Sequence, residues 1–201
     1  MPSVPAKRPA RRSSADTKAR IIEAAQIAFS TRGYAQSVLT EIAESADVTA
    51  PLIIRYFRSK ESLFEEAFSR CIDALPVFDA DLADFGRISI GMMTGGHEPT
   101  QRASGMIAHS IGDPRSREIT MRLIKERVLG PLAQSMGGAD GAARADLLVM
   151  IGIGYTTMRM ITPVPDAAAG ESPVLAGWLT NAVQSIIDWP DPLKPVQRAN
   201  G

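Results

Sequence analysis

Between Thr49 and Lys60 the chain sets a guanidinium (Arg55), a phenol (Tyr56) and an ammonium (Lys60) close together. At helical spacing Arg55 and Tyr56 fall opposite Ile53 and Phe57, on a short helix that begins with the compact residues Ala50, Pro51 and Leu52. That arrangement suits the reading of a nucleic acid. A guanidinium there can donate a pair of hydrogen bonds to a guanine edge, and Ala50 or Leu52 can meet thymine methyl groups. A helix small at its tip can enter a major groove about 12 Å wide. Thr40, Thr49, Tyr56 and Lys60 carry hydroxyls and a cation suited to phosphate oxygens, which set register rather than sequence preference. Ser37 stands just before them.

Catalytic chemistry finds no comparable footing. His97 and His109 have no zinc-ligand spacing with Cys71 or with each other. There is no G-x-S-x-G elbow, no phosphate-cradling glycine loop, and no carboxylate pair beyond ordinary helix-surface neighbours. The sequence therefore predicts no enzyme, no catalytic residue, no cofactor and no metal. The single cysteine, Cys71, leaves no internal disulfide to form and points to a reducing cytoplasm. It falls on an apolar stretch, where it reads as a buried small hydrophobe ahead of a redox switch. No apolar run is long enough to span a membrane, and the basic N-terminus lacks the apolar segment of a secretory signal.

The elements that must position these side chains are helices. Leu39, Ile42, Ala43 and Ala46 share one face, with Ser37 as the expected N-cap. Ala46-Asp47-Val48 makes the turn, and Asp47 stands where the chain needs a positive φ, which Asp and Asn tolerate next best after Gly. Thr49 is the expected cap of the following helix, and Pro51 suits its first turn. Upstream, Ile21, Ala24, Ala25, Ala28 and Phe29 form the stripe of a supporting helix that Gly33 ends. Lys18 and Arg20 near its start either touch phosphate or are solvated. Downstream, Ser59 can cap a helix carrying Leu63, Phe64, Ala67, Phe68, Cys71, Ile72 and Leu75 inward, as far as Pro76. Lys60 at that helix start opposes the macrodipole, which makes better sense if an anion arrives from outside.

The run RGY…S-V-L-x-E-IAxxA-D-V-T-x-P-L-x-x-R-Y-F-x-S-K-E-S-L-F resembles the DNA-binding domain of the TetR (tetracycline-repressor) family. The resemblance covers residues 17–68, about a quarter of the chain. It implies a helix-turn-helix that reads double-stranded operator DNA as a homodimer, and a larger helical domain whose small-molecule ligand releases the DNA. The matching Lys60 is then a phosphate contact. Two positions depart from the pattern. Asp47 replaces the usual turn Gly, and Ile54 replaces a Tyr that often contacts phosphate, a role Tyr56 either takes over or leaves vacant.

The whole chain carries no net charge, yet residues 1–60 hold ten Lys or Arg against five Asp or Glu. A basic end on an acidic body is the footprint of a molecule that docks one end on phosphate. Residues 1–15, with Lys7, Arg8, Arg11 and Arg12, have little to bury and are expected to be a disordered arm, either lying along DNA or merely solubilising.

Beyond 80 the periodicity stays helical, with helices expected at 81–93, 100–111, 114–136, 141–161 and 173–188. Gly95-Gly96, Gly112-Asp113-Pro114, Gly137-Gly138 and the stretch from Pro163 to Pro173 separate them. These lengths and the Asp-Pro break also resemble the C-terminal domain of some actinobacterial TetR regulators. The segment 145–161 is apolar almost all round, and 172–187 has a broad apolar face, so both need a cover. The expected dimer interface is Ile151, Tyr155, Met158, Leu175, Trp178, Leu179, Ala182 and Ile186, against an ordinary monomer core. The domain is also rich in methionine, which adaptable pockets over-use. Met92, Met106, His109, Met121, Arg122, Tyr155 and Arg159 are the candidate lining of a site for an unknown small apolar ligand, against plain core filling. His109 reads either as a satisfied core histidine or as a ligand contact. Arg159 needs an anionic partner, from the domain, a ligand or the other subunit.

Taken together the sequence predicts an all-α protein. Its parts are a basic arm at 1–15, a DNA-binding helix-turn-helix at 16–60, a ligand-binding and dimerisation domain at 61–189, and a loose tail at 190–201. The expected function is transcriptional regulation from operator DNA, as a repressor released by ligand. A regulator governed by a protein partner, or an activator, is the alternative, with an enzyme on a helical scaffold a distant third.

Overall fold

The computed structural model describes residues 13–162 and 172–189, all of whose regular structure is helical. The basic arm through Arg12, most of the 163–173 break and the tail from Pro190 lie outside the described residues.

Helix α1 (Ser14–Gln36) opens with a reciprocal cap, in which the Asp16 amide donates to the Ser13 hydroxyl and the Ser13 amide to the Asp16 carboxylate. Its stripe of Ile21, Ala24, Ala25, Ala28 and Phe29 is buried. Gly33, at φ +78°, kinks the helix rather than ending it, and the kink turns Tyr34 into the core. Helices α2 (Leu39–Ser45), α3 (Ala50–Phe57) and α4 (Lys60–Asp73) follow closely. Ser59 caps α4 by accepting the Ser62 amide at 3.1 Å. An aromatic nest of Phe29, Tyr34, Phe64 and Phe68 joins α1 to α4, with Phe29 and Phe64 edge-to-face at 5.2 Å.

Two single 3₁₀ turns, Pro76–Phe78 and Leu82–Asp84, lead into α5 (Phe85–Thr94). Then come α6 (Glu98–Ser110) and α7 (Pro114–Ile124). The helix expected as one piece over 114–136 is continuous but widens to a π-helical turn at Lys125–Leu129 before α8 (Gly130–Met136). Pro131 explains the change. It has no N–H and crowds the carbonyl four residues back, so the Gly130 amide reaches to the Lys125 carbonyl instead. Helices α9 (Gly141–Ile161) and α10 (Pro173–Asp188) complete the larger body.

Two apolar cores result. The first joins α1–α4 and takes in Ala103 and Met106 of α6 and Leu123 of α7. The second gathers Val77, Phe85, Ile90, Leu132, Ala145, Leu148, Val183 and Ile187. Phe78 and Val128 pack against both cores, and α6 packs on α1. Three devices tie the second body. Gln184 of α10 accepts the Gly86 amide at 3.0 Å and donates to the Leu82 carbonyl at 3.0 Å, so it caps α5 from across the chain. A Cβ on Gly86 would meet the Thr180 carbonyl at 2.6 Å, so only glycine lets these helices come this near. Arg144 donates to the Ile187, Met136 and Gly137 carbonyls, closing the ends of α8 and α10.

Candidate functional site

The turn between α2 and α3 is knit by its own backbone. The Asp47 amide donates to the Glu44 carbonyl at 3.0 Å and the Val48 amide to the Ala43 carbonyl at 2.9 Å. Asp47 takes φ +52°, the left-handed conformation its side chain can tolerate. Arg20 of α1 holds the turn from behind, donating to the Ala46 carbonyl at 2.7 Å with its guanidinium 3.6 Å from the Asp47 carboxylate. Arg20 thus has a structural partner that neither sequence alternative included.

On α3, Ile53 and Phe57 are buried, Ala50, Leu52 and Tyr56 are half-buried, and Pro51, Ile54 and Arg55 face out. The helix ends at Arg58, a non-glycine residue at φ +69°. Thr49 is the N-cap residue but makes no side-chain capping bond. Pro51 offers no amide, and the Leu52 amide is already taken by the Thr49 carbonyl at 2.9 Å. The Thr49 side chain therefore stays outside, as does that of Thr40 on α2. Ser37 is placed differently from the sequence expectation. It ends α1, with Val38 in the N-cap position of α2, and its hydroxyl is buried, donating to the Gly33 and Ala28 carbonyls at 2.7 and 3.1 Å.

Tyr56 is steadied by the Lys18 ammonium, 5.4 Å from its ring centroid. The Lys60 ammonium stands 4.3 Å over the Tyr34 ring. Burial pushes the Lys60 pKa down, against the pull of Asp113 and Glu61. Burial, then the hydrogen bond and charge of Glu61, push the Tyr34 phenol up to about 12, against Arg115. Lys60 is thus a partly buried cation at the start of α4, with the carboxylates of Asp113 and Glu61 acting on it.

The larger body holds an apolar cavity of about 130 Å³. Its walls come from α4 (Phe68, Ile72), α5 (Phe85, Ser89, Met92), α6, the π-turn and α9. Of the seven residues expected around a ligand, Met92 alone lines it. Met106 is fully buried in the first core, packed toward α1 and α4. His109 is exposed and lies across Gly33, whose missing Cβ would stand 2.9 Å from that of the histidine. Met121 is exposed. Arg122 pairs with Glu65 at 3.0 Å and Glu126 at 3.6 Å on the surface, and the Glu65 hydrogen bond raises its pKa. Tyr155 and Arg159 line a neighbouring crevice that shares Met93, Thr100, Ser104 and Thr156 with the cavity. The sequence signal for the actual walls was the spacing of Phe68 with Ile72 and of Phe85, Ser89 and Met92, which periodicity alone reads as core.

Of the residues expected at a dimer interface, Met158, Leu175, Trp178 and Ala182 are exposed, Trp178 by 71%. Ile151, Leu179 and Ile186 pack half-buried on the second core, and Tyr155 lies in the crevice. The large apolar side chains that α9 leaves exposed are Leu147, Met150, Met158, Met160 and Ile161, and α10 exposes Val174 as well. No helix among the described residues is long and apolar enough to cross a membrane, and no cluster of His, Cys, Asp or Glu there could hold a metal ion.

Comparison with known proteins fits this geometry. Residues 21–67 match the family of bacterial regulatory proteins called tetR, and residues 85–187 match the tetracyclin repressor-like C-terminal domain. No curated protein matches the chain. Among solved structures, a TetR-family transcriptional regulator from Rhodococcus sp. superposes with a TM-score of 0.70 at 14% identity, over 86% of this chain and 99% of that one. NalD of Pseudomonas aeruginosa, the secondary repressor of the MexAB-OprM multidrug efflux pump, gives 0.64 at 17% identity, over 85% and 96%. A transcriptional regulator from Streptomyces coelicolor gives 0.57 at 23% identity, over 85% and 97%. At these identities the structures speak for the fold, whereas the two family matches together span the reading head and most of the larger body. The chain belongs to the TetR family of DNA-binding transcriptional regulators.

Proposed function

We propose that the chain works as a cytoplasmic homodimer that represses transcription from a palindromic operator and is released when a small apolar molecule enters the cavity of the larger body. The observation that carries this reading is the placement of α3. Ile53 and Phe57 anchor one side of it while Pro51 and Arg55 stand free on the other, so a groove can be entered without disturbing the core. Arg55 is the base reader. Thr40, Thr49, Tyr56 and Lys60 position the head on phosphate, and Ala50, Pro51 and Leu52 make the close approach. Ser37 supports this surface from within.

The exposed apolar side chains of α9 and α10 support dimerisation, since monomers rarely leave such a set bare. The cavity supports ligand control. Phe68 and Ile72 in its wall belong to α4, whose other end carries Lys60 beside α3. A ligand that prefers one tilt of α4 shifts the population of reading-head spacings by its differential affinity.

Selection of bound fragments from random and genomic DNA at near-physiological salt, with binding stoichiometry, tests the reading. The expected result is a two-fold symmetric site filled by one or two dimers, with half-sites a helical turn or a multiple of it apart. Binding that is sequence-blind and steeply salt-dependent overturns it.

A further inference from the structure

Four hydroxyl-bearing residues line the apolar cavity: Ser89, Thr100, Ser104 and Thr156. Three of them already have protein partners. Ser104 donates to the Thr100 carbonyl at 2.7 Å, Thr156 donates to the Gly152 carbonyl at 2.8 Å, and the Thr100 hydroxyl lies 2.9 Å from His97 Nδ1. Ser89 is different. It is 97% buried, and its hydroxyl has no hydrogen-bond partner. A buried hydroxyl left in that state costs stability, so a plain core would do better with alanine there. Ser89 sits midway along α5, with Phe85 and Met92 beside it on the same wall.

No charged side chain and no histidine lines this cavity. A carboxylate or an ammonium entering it would shed its hydration with nothing to replace it. A cavity of about 130 Å³ has room for a single small ring. We infer that the ligand of this cavity is an uncharged, compact, largely apolar molecule with one hydroxyl or carbonyl group, and that this group bonds the Ser89 hydroxyl. The inference rests on the ligand-controlled reading and narrows it to a chemical class.

Three ring compounds of matched shape test it on the full chain: toluene, p-cresol and p-toluate, titrated by calorimetry against wild type and Ser89→Ala. The expected result is that p-cresol binds wild type about fivefold to tenfold more tightly than toluene, the worth of one hydrogen bond. Ser89→Ala should erase that preference while keeping toluene binding, and should melt higher than wild type without ligand. Three results overturn the inference: equal affinity of toluene and p-cresol for wild type, a preference that survives in Ser89→Ala, or failure of all three to bind. Tightest binding by p-toluate overturns it as well and moves the polar anchor to Arg159 in the neighbouring crevice. Release of a selected operator fragment by p-cresol is read separately. Ser89-dependent binding without release upholds the site and removes the proposed role in induction.

Discussion

Gly105 of α6 lies so near Ser30 of α1 that a Cβ on the glycine would stand 2.4 Å from the serine carbonyl oxygen. Here the reading head and the larger body meet backbone to backbone, and no flexible side chain is there to yield. Gln26 and Arg102 extend the seam. Arg102 donates to Gln26 Oε1 at 3.1 Å, and Gln26 Nε2 donates to the Ala67 carbonyl of α4 at 3.0 Å. One buried amide thus bridges α6, α1 and α4.

Widening that seam should be costly. Gly105→Ala is expected to lower stability by about 1–3 kcal/mol through overpacking against backbone. Gly91→Ala, where an added Cβ meets nothing within 4 Å, should be neutral or slightly stabilising. Urea unfolding of both variants provides the check, and equal midpoints would count against a close-packed seam.

Asp47 pays for its φ of +52° in backbone strain, which a glycine would relieve. Asp47→Ala should be less stable than Asp47→Gly by about 1 kcal/mol, because alanine keeps the Cβ and loses the polar compensation. The Arg20 pair, exposed on the Asp47 side, adds little to that difference. Thermal melts that rank alanine level with glycine would show that the turn relaxes in solution.

The reading head separates two kinds of contact. Arg55→Ala should relax sequence preference, at a cost of about 1–3 kcal/mol on the selected site and much less on unrelated DNA. Lys60→Ala should weaken binding to all sequences and lower the salt slope by about one. Fluorescence anisotropy across a salt series distinguishes the two, and a uniform loss for Arg55→Ala would end its assignment as the base reader.

Asp113 gives a pH signature for α7. Its carboxylate accepts the Ser116 amide at 2.8 Å and the Ser116 hydroxyl at 2.8 Å. The backbone bond foremost holds its pKa below the ordinary carboxylate value, with burial opposing. The folded group therefore protonates at lower pH than the unfolded one. Its stabilisation is complete above the unfolded value and is lost as pH falls through the folded one. Asp113→Ala should cost about 1 kcal/mol at neutral pH, and the gap to wild type should close under acid conditions. A gap that stays constant down to acid pH would mean that the cap does not titrate.

Much of this architecture was legible in short-range pattern. The stripe from Ile21 to Phe29, the positive φ at Asp47, the Ser59 cap and the breaks around 95, 113 and 137 all follow from spacing and residue type, because each is decided within one or two turns of chain. The cavity was not legible in the same way. Met92 and Met106 are alike in type and both face inward, yet one lines the void and the other fills the core beneath the reading head. Which inward face meets which is settled by helix crossings remote in sequence, such as Gly105 on Ser30. The Gln184 cap on α5 was hidden for the same reason, since its partners lie about a hundred residues away.

That distant cap sets an order of assembly on the ribosome. The core beneath the reading head has all its buried members once Leu123 has been made, whereas the N-terminus of α5 must wait for Gln184, Val183 and Ile187. A nascent chain is therefore expected to resist protease in its α1–α4 part well before its cavity closes, so that the part of the molecule that grips DNA matures ahead of the part that listens for the signal to let go. Proteolysis of stalled chains of increasing length would follow the two events, and simultaneous protection of both would show that they fold as one unit.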